Sequence, residues 1–166
     1  MDGNKFNVLL YTDESQSAFF ARLYAAILMI NMPNMYLTIV QLKESNNSFI
    51  KTENNSLNSW PINPSDWMKE VQDIFSIRAV DVRHQVIYCN PNIPDTVEAL
   101  LEYARKNSIE LILIGSEELK TLKGLVLGSL AQKVQNKSPI PVLLVKKLPE
   151  DFLDNKSKPT LKLIRK

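Results

Sequence analysis

Four consecutive aliphatic residues, Leu111 to Ile114, are followed directly by Gly115. A run this short and unbroken, ended by glycine, is typical of a strand buried on both faces, as in a parallel sheet. After a polar, lysine-bearing loop, Gly128 and Ser129 open an apolar-periodic segment, and Ser129 with Gln132 has the spacing of a capping box. The stretch therefore predicts a strand, a glycine-bounded loop and a helix, an arrangement whose free amides and helix dipole favour an anion.

The rest of the chain alternates between strand and helix patterns. Further strands are predicted at Phe6 to Thr12, Tyr36 to Leu42, His84 to Cys89 and Pro141 to Lys146. Apolar residues at three- and four-residue spacing predict helices at Ser15 to Asn31, from Pro64 to Arg78, from Pro94 to Ala104 and from Ser129 onward. The asparagine-rich residues 43–63 form a connection. This alternation predicts an α/β fold, a five-stranded parallel sheet with right-handed crossovers and helices on both faces.

The composition is that of one globular domain. The chain has 166 residues, of which 45% are hydrophobic and 23% charged. We assign residues 1–147 to the domain and residues 148–166 to a carboxyl-terminal extension, either disordered or a short added strand. No apolar run is long enough for a membrane span, and the first residues lack the pattern of a secretory signal. With Cys89 as the single cysteine, a cytoplasmic location is expected.

Charge and residue types exclude several function classes. The net charge of +2 conceals an asymmetry, since residues 146–166 carry seven Lys and Arg against three Asp and Glu. The body of the chain is therefore slightly acidic, and nucleic acid is not an expected partner. No Ser/His/Asp set in a sensible order and no metal-ligand cluster is visible, and His84 is the single histidine. We expect a non-enzyme with no catalytic residues and no metal ligands, with weak ATP hydrolysis left open.

A candidate ligand cleft follows from the predicted topology. Ligands of open parallel sheets lie beyond the carboxyl ends of the strands, where the strand order reverses. The loops after the first strand, Thr12 to Ser17, and after the fourth, Gly115 to Gly128, should face each other there. Asp13 would then lie opposite the glycine loop. The first turn contains no glycine, so the dinucleotide fingerprint is absent, as is a P-loop.

Several short motifs carry a family resemblance. Tyr11 to Ser15 followed by Ala18, the pair Gly115-Ser116, the pair Gly128-Ser129 and the ending Pro141-Val142-Leu143-Leu144-Val145 together resemble the universal stress protein family over roughly residues 6 to 146. The resemblance implies sheet order 3-2-1-4-5 in a Rossmann-like fold. It also implies a stress-response role and a homodimer joined along the edge of the last strand, Pro141 to Val145. In one branch of that family, ATP or another adenine nucleotide binds in the cleft.

The resemblance also implies the residues of the nucleotide site. Asp13 would contact the ribose, the backbone of Leu42 the adenine, and Gly115, Gly128 and Ser129 the phosphates, with Tyr11 beside them. This chain departs from the family pattern at the phosphate loop, because Glu118 stands where the middle glycine belongs and Glu117 precedes it. Lys120, Lys123 or a bridging Mg²⁺ would offset those carboxylates.

The same residues have structural explanations, which keep a second function open. Asp13 fits the cap of the first helix, Gly115 and Gly128 fit backbone turns, and Tyr11 fits core packing. The alternatives to a nucleotide-modulated dimer are therefore a nucleotide-free interaction module of the same fold and a weak ATP hydrolase or adenylating enzyme.

Overall fold

Five parallel strands form the centre of the computed structural model, which describes residues 4–13, 16–44, 73–90, 92–116, 118–121, 124–127 and 129–146. The strands are β1 (Phe6–Tyr11), β2 (Met35–Glu44), β3 (Val82–Cys89), β4 (Leu111–Gly115) and, after a hairpin described below, β7 (Val142–Val145). Their order in the sheet is β3-β2-β1-β4-β7, and every neighbouring pair is parallel. Numbered as the five predicted strands, this is the order 3-2-1-4-5, and the predicted α/β fold is confirmed.

Helices cover both faces of the sheet. They are α1 (Gln16–Asn31), α2 (helical residues 73–77), α3 (Ile93–Lys106) and α4 (Ser129–Lys137). α1 and α2 contribute to one buried cluster, and α3 and α4 contribute to the other. Among the described residues, no helix is long and apolar enough to span a membrane.

Alternate residues of β1 contribute to the two buried hydrophobic clusters on opposite faces of the sheet. Val8 and Leu10 pack towards α1, whereas Leu9 packs towards α3 and α4, and all three are 0% exposed. Side chains on successive strand positions point to opposite faces, so a strand covered on both sides needs apolar residues at every position. This requirement explains the unbroken aliphatic runs in β1 and β4.

The structure departs from the sequence predictions in one connection. Residues between β4 and α4, predicted as a loop, form an antiparallel hairpin of β5 (Glu118–Thr121) and β6 (Gly124–Leu127). The aliphatic run Leu125 to Leu127 has strand propensity, and its residues pair with β5 from Glu118 with Leu127 to Thr121 with Gly124. The prediction of a loop without secondary structure between β4 and α4 was therefore wrong. The start of the second helix, most of the 43–63 connection and the 148–166 extension lie outside the described residues.

The third and fourth helices begin close to where the sequence signals placed them. Asn92 caps α3 by accepting a hydrogen bond from the backbone N–H of Asp95 at 2.9 Å, and Pro94 occupies the first turn. Proline is suited to that turn because its missing N–H has no intrahelical partner there. α4 begins at Ser129, the residue predicted to open it.

Arg78 fastens the carboxyl end of α1 to the start of β2. Its Nη1 donates to the carbonyls of Met29 and Met32, the latter at 3.1 Å, and its Nη2 donates to those of Pro33 and Met35 at 3.0 and 2.9 Å. Nε donates to the Asp81 carboxylate at 3.2 Å. One guanidinium thus donates to a carbonyl in the last turn of α1 and to three carbonyls of the segment that leads into β2.

Candidate functional site

The carboxyl ends of β1 and β4 lie side by side at one edge of the sheet. The two strands pair in parallel from Val8 with Leu111 to Leu10 with Leu113. Both segments that follow, with Asp13 after β1 and Ser116 after β4, therefore leave the sheet at the same edge. We call this place the carboxyl crevice. Asp13 is exposed there, whereas Ser116 is buried.

Tyr11 and Leu42 line one side of the carboxyl crevice. Both are partly buried against the cluster beneath α3 and α4. Burial raises the pKa of the Tyr11 hydroxyl, and the charge of Asp13, the nearby Cys89 thiol and a hydrogen bond with Asp13 raise it further. The phenol therefore stays protonated and engages the Asp13 carboxylate, which fixes a polar group at the tip of β1. Tyr11 is thus both a packing residue and a neighbour of the predicted ribose contact.

A partly buried cation on the opposite side of the sheet, Arg22, was not predicted from the sequence. Arg22 of α1 donates from Nε to the hydroxyl of Thr12 at 2.8 Å. Burial lowers the pKa of Arg22 to about 10, against the favourable influence of Asp13. At pH 7 the guanidinium is still charged, so a positive charge lies close to the tip of β1. Arg22 lies four residues after the buried Ala18 in the apolar pattern of α1, and a charged residue in that pattern was the available signal.

The single histidine lies near the same cation. His84 pairs with Ile39 in the ladder between β2 and β3. Burial lowers its pKa, and the positive charge of Arg22 lowers it further. His84 is therefore neutral at pH 7.

Gly115 is required by a close backbone contact with α1. A Cβ built on Gly115 would lie 2.4 Å from the carbonyl oxygen of Ser17 and 3.0 Å from the backbone nitrogen of Ala18. No side chain fits in that gap, so the glycine serves packing whether or not a ligand binds. Beside it, the N–H of Ser116 donates to the carbonyl of Val145 at 2.8 Å, extending the contact between β4 and β7.

The predicted phosphate loop is only partly described. Glu118 and Lys120 lie in β5, where they pair with Leu127 and Leu125 of β6. Glu117, Lys123 and Gly128 lie outside the described residues. Ser129 begins α4. Within the described part of the chain, no group of three or more His, Cys, Asp or Glu side chains gathers as metal ligands would.

Comparison with known proteins agrees with this architecture. The model of the universal stress protein family matches residues 77–146. The stress response protein NhaX of Bacillus subtilis is 42% identical over 52 residues, 31% of this chain and 31% of that protein. The universal stress protein YxiE of the same organism is 34% identical over 65 residues, 39% of this chain and 42% of its own. The aligned segments thus span less than half of either relative.

A solved structure extends the likeness to most of the chain. A universal stress protein crystallised in complex with cAMP has a TM-score of 0.55 and 22% identity, covering 86% of this chain and 98% of its own. At 22% sequence identity, this structural match is evidence for a shared fold alone. The match of the family model over residues 77–146 and the two Bacillus relatives confirm the resemblance to the universal stress protein family that the motifs indicated, and the observed sheet order agrees with it.

Proposed function

We propose that this protein is a stress-response protein that binds an adenine nucleotide in the carboxyl crevice and changes its interactions with nucleotide occupancy. The observation that carries the proposal is the parallel pairing of β1 with β4, which brings Asp13 and the Gly115-Ser116 turn to one edge. The cAMP complex of a structural relative supports the ligand class. The names of the two Bacillus relatives support the stress-response role.

The charges around the crevice favour the ribose at the tip of β1. Asp13 is exposed and lies near the Arg22 guanidinium, and a carboxylate is a strong acceptor for ribose hydroxyls. The phosphates would then point away from Asp13, towards the end of β4 and the amino terminus of α4 at Ser129. Helix amino termini bind anions through their free N–H groups and dipole. Tyr11 and Leu42 supply an apolar side for the base.

Replacing Asp13 with asparagine should weaken binding of adenosine and AMP by about tenfold or more, because a hydrogen bond to a charged group is worth about 1.5–3 kcal/mol. Isothermal titration calorimetry with adenosine, AMP, cAMP and ATP, each with and without Mg²⁺, measures the effect. Glu98→Gln, an exposed carboxylate change on α3, is the matched control and should leave every affinity unchanged. Absence of binding by any of the four ligands at millimolar concentration would overturn the proposal.

A nucleotide-free interaction module is the second candidate function. It is favoured by the β5–β6 hairpin, in which Glu118 pairs with Leu127 where the family's phosphate loop carries its middle glycine. This candidate requires an empty crevice in protein purified without added ligand, so a co-purified nucleotide would count against it. ATP turnover in the same preparation that is lost in Asp13→Ala would instead favour a hydrolase.

We further propose a cytoplasmic homodimer joined along β7. β7 is an edge strand of the sheet, and Leu143 on it is 36% exposed. An exposed apolar edge strand can pair with its own copy around a two-fold axis.

Leu143→Lys should weaken that dimer at least tenfold, because a charged side chain at an edge strand opposes pairing. Sedimentation velocity at micromolar concentrations measures the association. Tyr88→Lys, at a 47% exposed residue on the opposite edge strand β3, is the control and should remain dimeric. A wild-type monomer, or equal effects of the two substitutions, would contradict the proposal.

A further inference from the structure

Arg22 extends from the sheet-facing side of α1 to the end of β1. It lies four residues after Ala18, and helix residues at that spacing share one face. Ala18 is 3% exposed, and a Cβ on Gly115 would meet its backbone nitrogen and the carbonyl of Ser17. The first turn of α1 is therefore packed directly against the end of β4, and Arg22 extends from a helix whose position is set.

Thr12 is held by both its backbone and its side chain. Its N–H donates to the carbonyl of Val40 at 3.0 Å, which continues the pairing of β1 with β2 by one residue. The alternation of the strand places its side chain on the face of Val8 and Leu10, which α1 covers, and Thr12 is 3% exposed. There its hydroxyl accepts a hydrogen bond from Nε of Arg22 at 2.8 Å. A short bond from a charged donor to a buried hydroxyl is a strong contact, so Thr12 is fixed in place.

Asp13 follows Thr12 directly and is exposed in the carboxyl crevice. On the other face of the sheet, Tyr11 packs into the cluster under α3 and α4, and its hydroxyl is hydrogen-bonded to Asp13. The residue before Asp13 is thus held from the α1 face, and its carboxylate is engaged from the crevice side. Because Asp13 is one residue beyond a fixed position, the direction of its carboxylate depends on the bond between Arg22 and Thr12.

We propose that Arg22 and Thr12 are positioning residues that aim the Asp13 carboxylate at the ribose hydroxyls of the ligand. This role rests on the proposed function and adds to it a source of ribose selectivity that lies outside the carboxyl crevice. Hydrogen bonds weaken steeply as their length and angle depart from the ideal, so a small displacement of Asp13 lowers the affinity for a ribose. Contacts to the base and the phosphates do not involve Asp13, so the ribose contribution alone should change.

Calorimetry with adenosine and 2′,3′-dideoxyadenosine measures the ribose contribution as the ratio of the two affinities. In the wild type the ratio should favour adenosine by about tenfold or more, the effect of a hydrogen bond to a charged group. Arg22→Met and Thr12→Val each remove one partner of the buried bond, and each should lower this ratio by about threefold or more. Both variants should bind dideoxyadenosine as tightly as the wild type does, and so should Asp13→Asn.

Three further variants serve as controls. Thr12→Ser keeps the hydroxyl that accepts from Arg22 and should keep the wild-type ratio. Arg105→Met, the same change at an exposed arginine on α3, should keep it as well. Combining Arg22→Met with Thr12→Val should lower the ratio no further than either change alone, because each one already breaks the same bond. If Arg22→Met does not fold, the comparison of Thr12→Val with Thr12→Ser decides the question by itself.

Thermal unfolding without ligand separates positioning from a role in stability alone. A variant that unfolds at a lower temperature but keeps the full adenosine preference would show that the bond only stabilises the fold, and it would overturn the positioning role. A preference that is lost in Asp13→Asn but intact in Arg22→Met or Thr12→Val would overturn that role and leave the nucleotide site standing. Wild-type protein that binds neither nucleoside would instead contradict the proposed function, and the positioning role with it.

Discussion

Arg78→Ala is expected to lower the free energy of unfolding by about 3–5 kcal/mol, the range seen when one partner of a buried charged network is removed. The guanidinium donates to four backbone carbonyls around the end of α1 and to Asp81. Alanine would remove these side-chain donors at the junction of α1, β2 and the segment before β3. Urea unfolding followed by circular dichroism measures the change.

Three further variants separate the parts of this effect. Arg78→Lys keeps the charge but cannot span four carbonyls, so it should recover less than half of the lost stability. Asp81→Asn removes the ion pair and leaves the carbonyl bonds, so it should cost only about 1 kcal/mol. Arg105→Ala, at an exposed arginine on α3, should stay within about 0.5 kcal/mol of wild type. If Arg78→Ala behaves like Arg105→Ala, the carbonyl bonds contribute nothing to stability.

Gly115→Ala is expected to destabilise the protein by about 3 kcal/mol, at the upper end for overpacked sites. The added methyl group would lie 2.4 Å from the carbonyl oxygen of Ser17 and 2.5 Å from its carbonyl carbon, so the first turn of α1 must move. Without that contact, replacing a strand glycine with alanine would stabilise the protein by about 0.5–1 kcal/mol. The sign of the change in the free energy of unfolding, measured by urea denaturation, therefore tells whether the contact with Ser17 excludes a side chain at position 115.

Two controls keep this prediction specific. Ile114→Val, one residue earlier in β4, removes a buried methyl group without a clash and should cost about 1 kcal/mol. Ser17→Gly combined with Gly115→Ala should not restore stability, because the obstacle is the backbone carbonyl of residue 17 and not its side chain. Recovery in that double variant would contradict the backbone account.

The sheet was predictable because its signals are local and agree with each other. Buried parallel strands need apolar residues on both faces, and the runs in β1 and β4 show this requirement directly in the sequence. The sheet order followed from the family motifs. The β5–β6 hairpin was missed because its lysines and glutamate suggested a loop, whereas the pairing of Leu119 with Val126 is a contact between distant positions of that segment.

The candidate site was predictable in part for the same reason. Asp13 and Gly115 follow strands whose adjacency the fold determines, so their shared edge could be inferred before any coordinates were known. The roles of two arginines were not predicted, because both depend on tertiary contacts. Arg22 is a partly buried neighbour of Asp13, and Arg78 donates hydrogen bonds to backbone carbonyls. The close approach of Gly115 to the backbone of Ser17 also depends on tertiary packing, so no local sequence pattern could predict it.

The way α1 is held has a consequence for how the protein can respond to a ligand. Its first turn contacts the backbone of Gly115, and the Met29 carbonyl in its last turn accepts a hydrogen bond from Arg78, so both ends of the helix are held against the sheet. β4 is confined between β1 and β7. Within the part of the chain that the structure describes, the β5–β6 hairpin belongs to a separate two-stranded sheet, so it can shift when a ligand enters the crevice without breaking the main ladder.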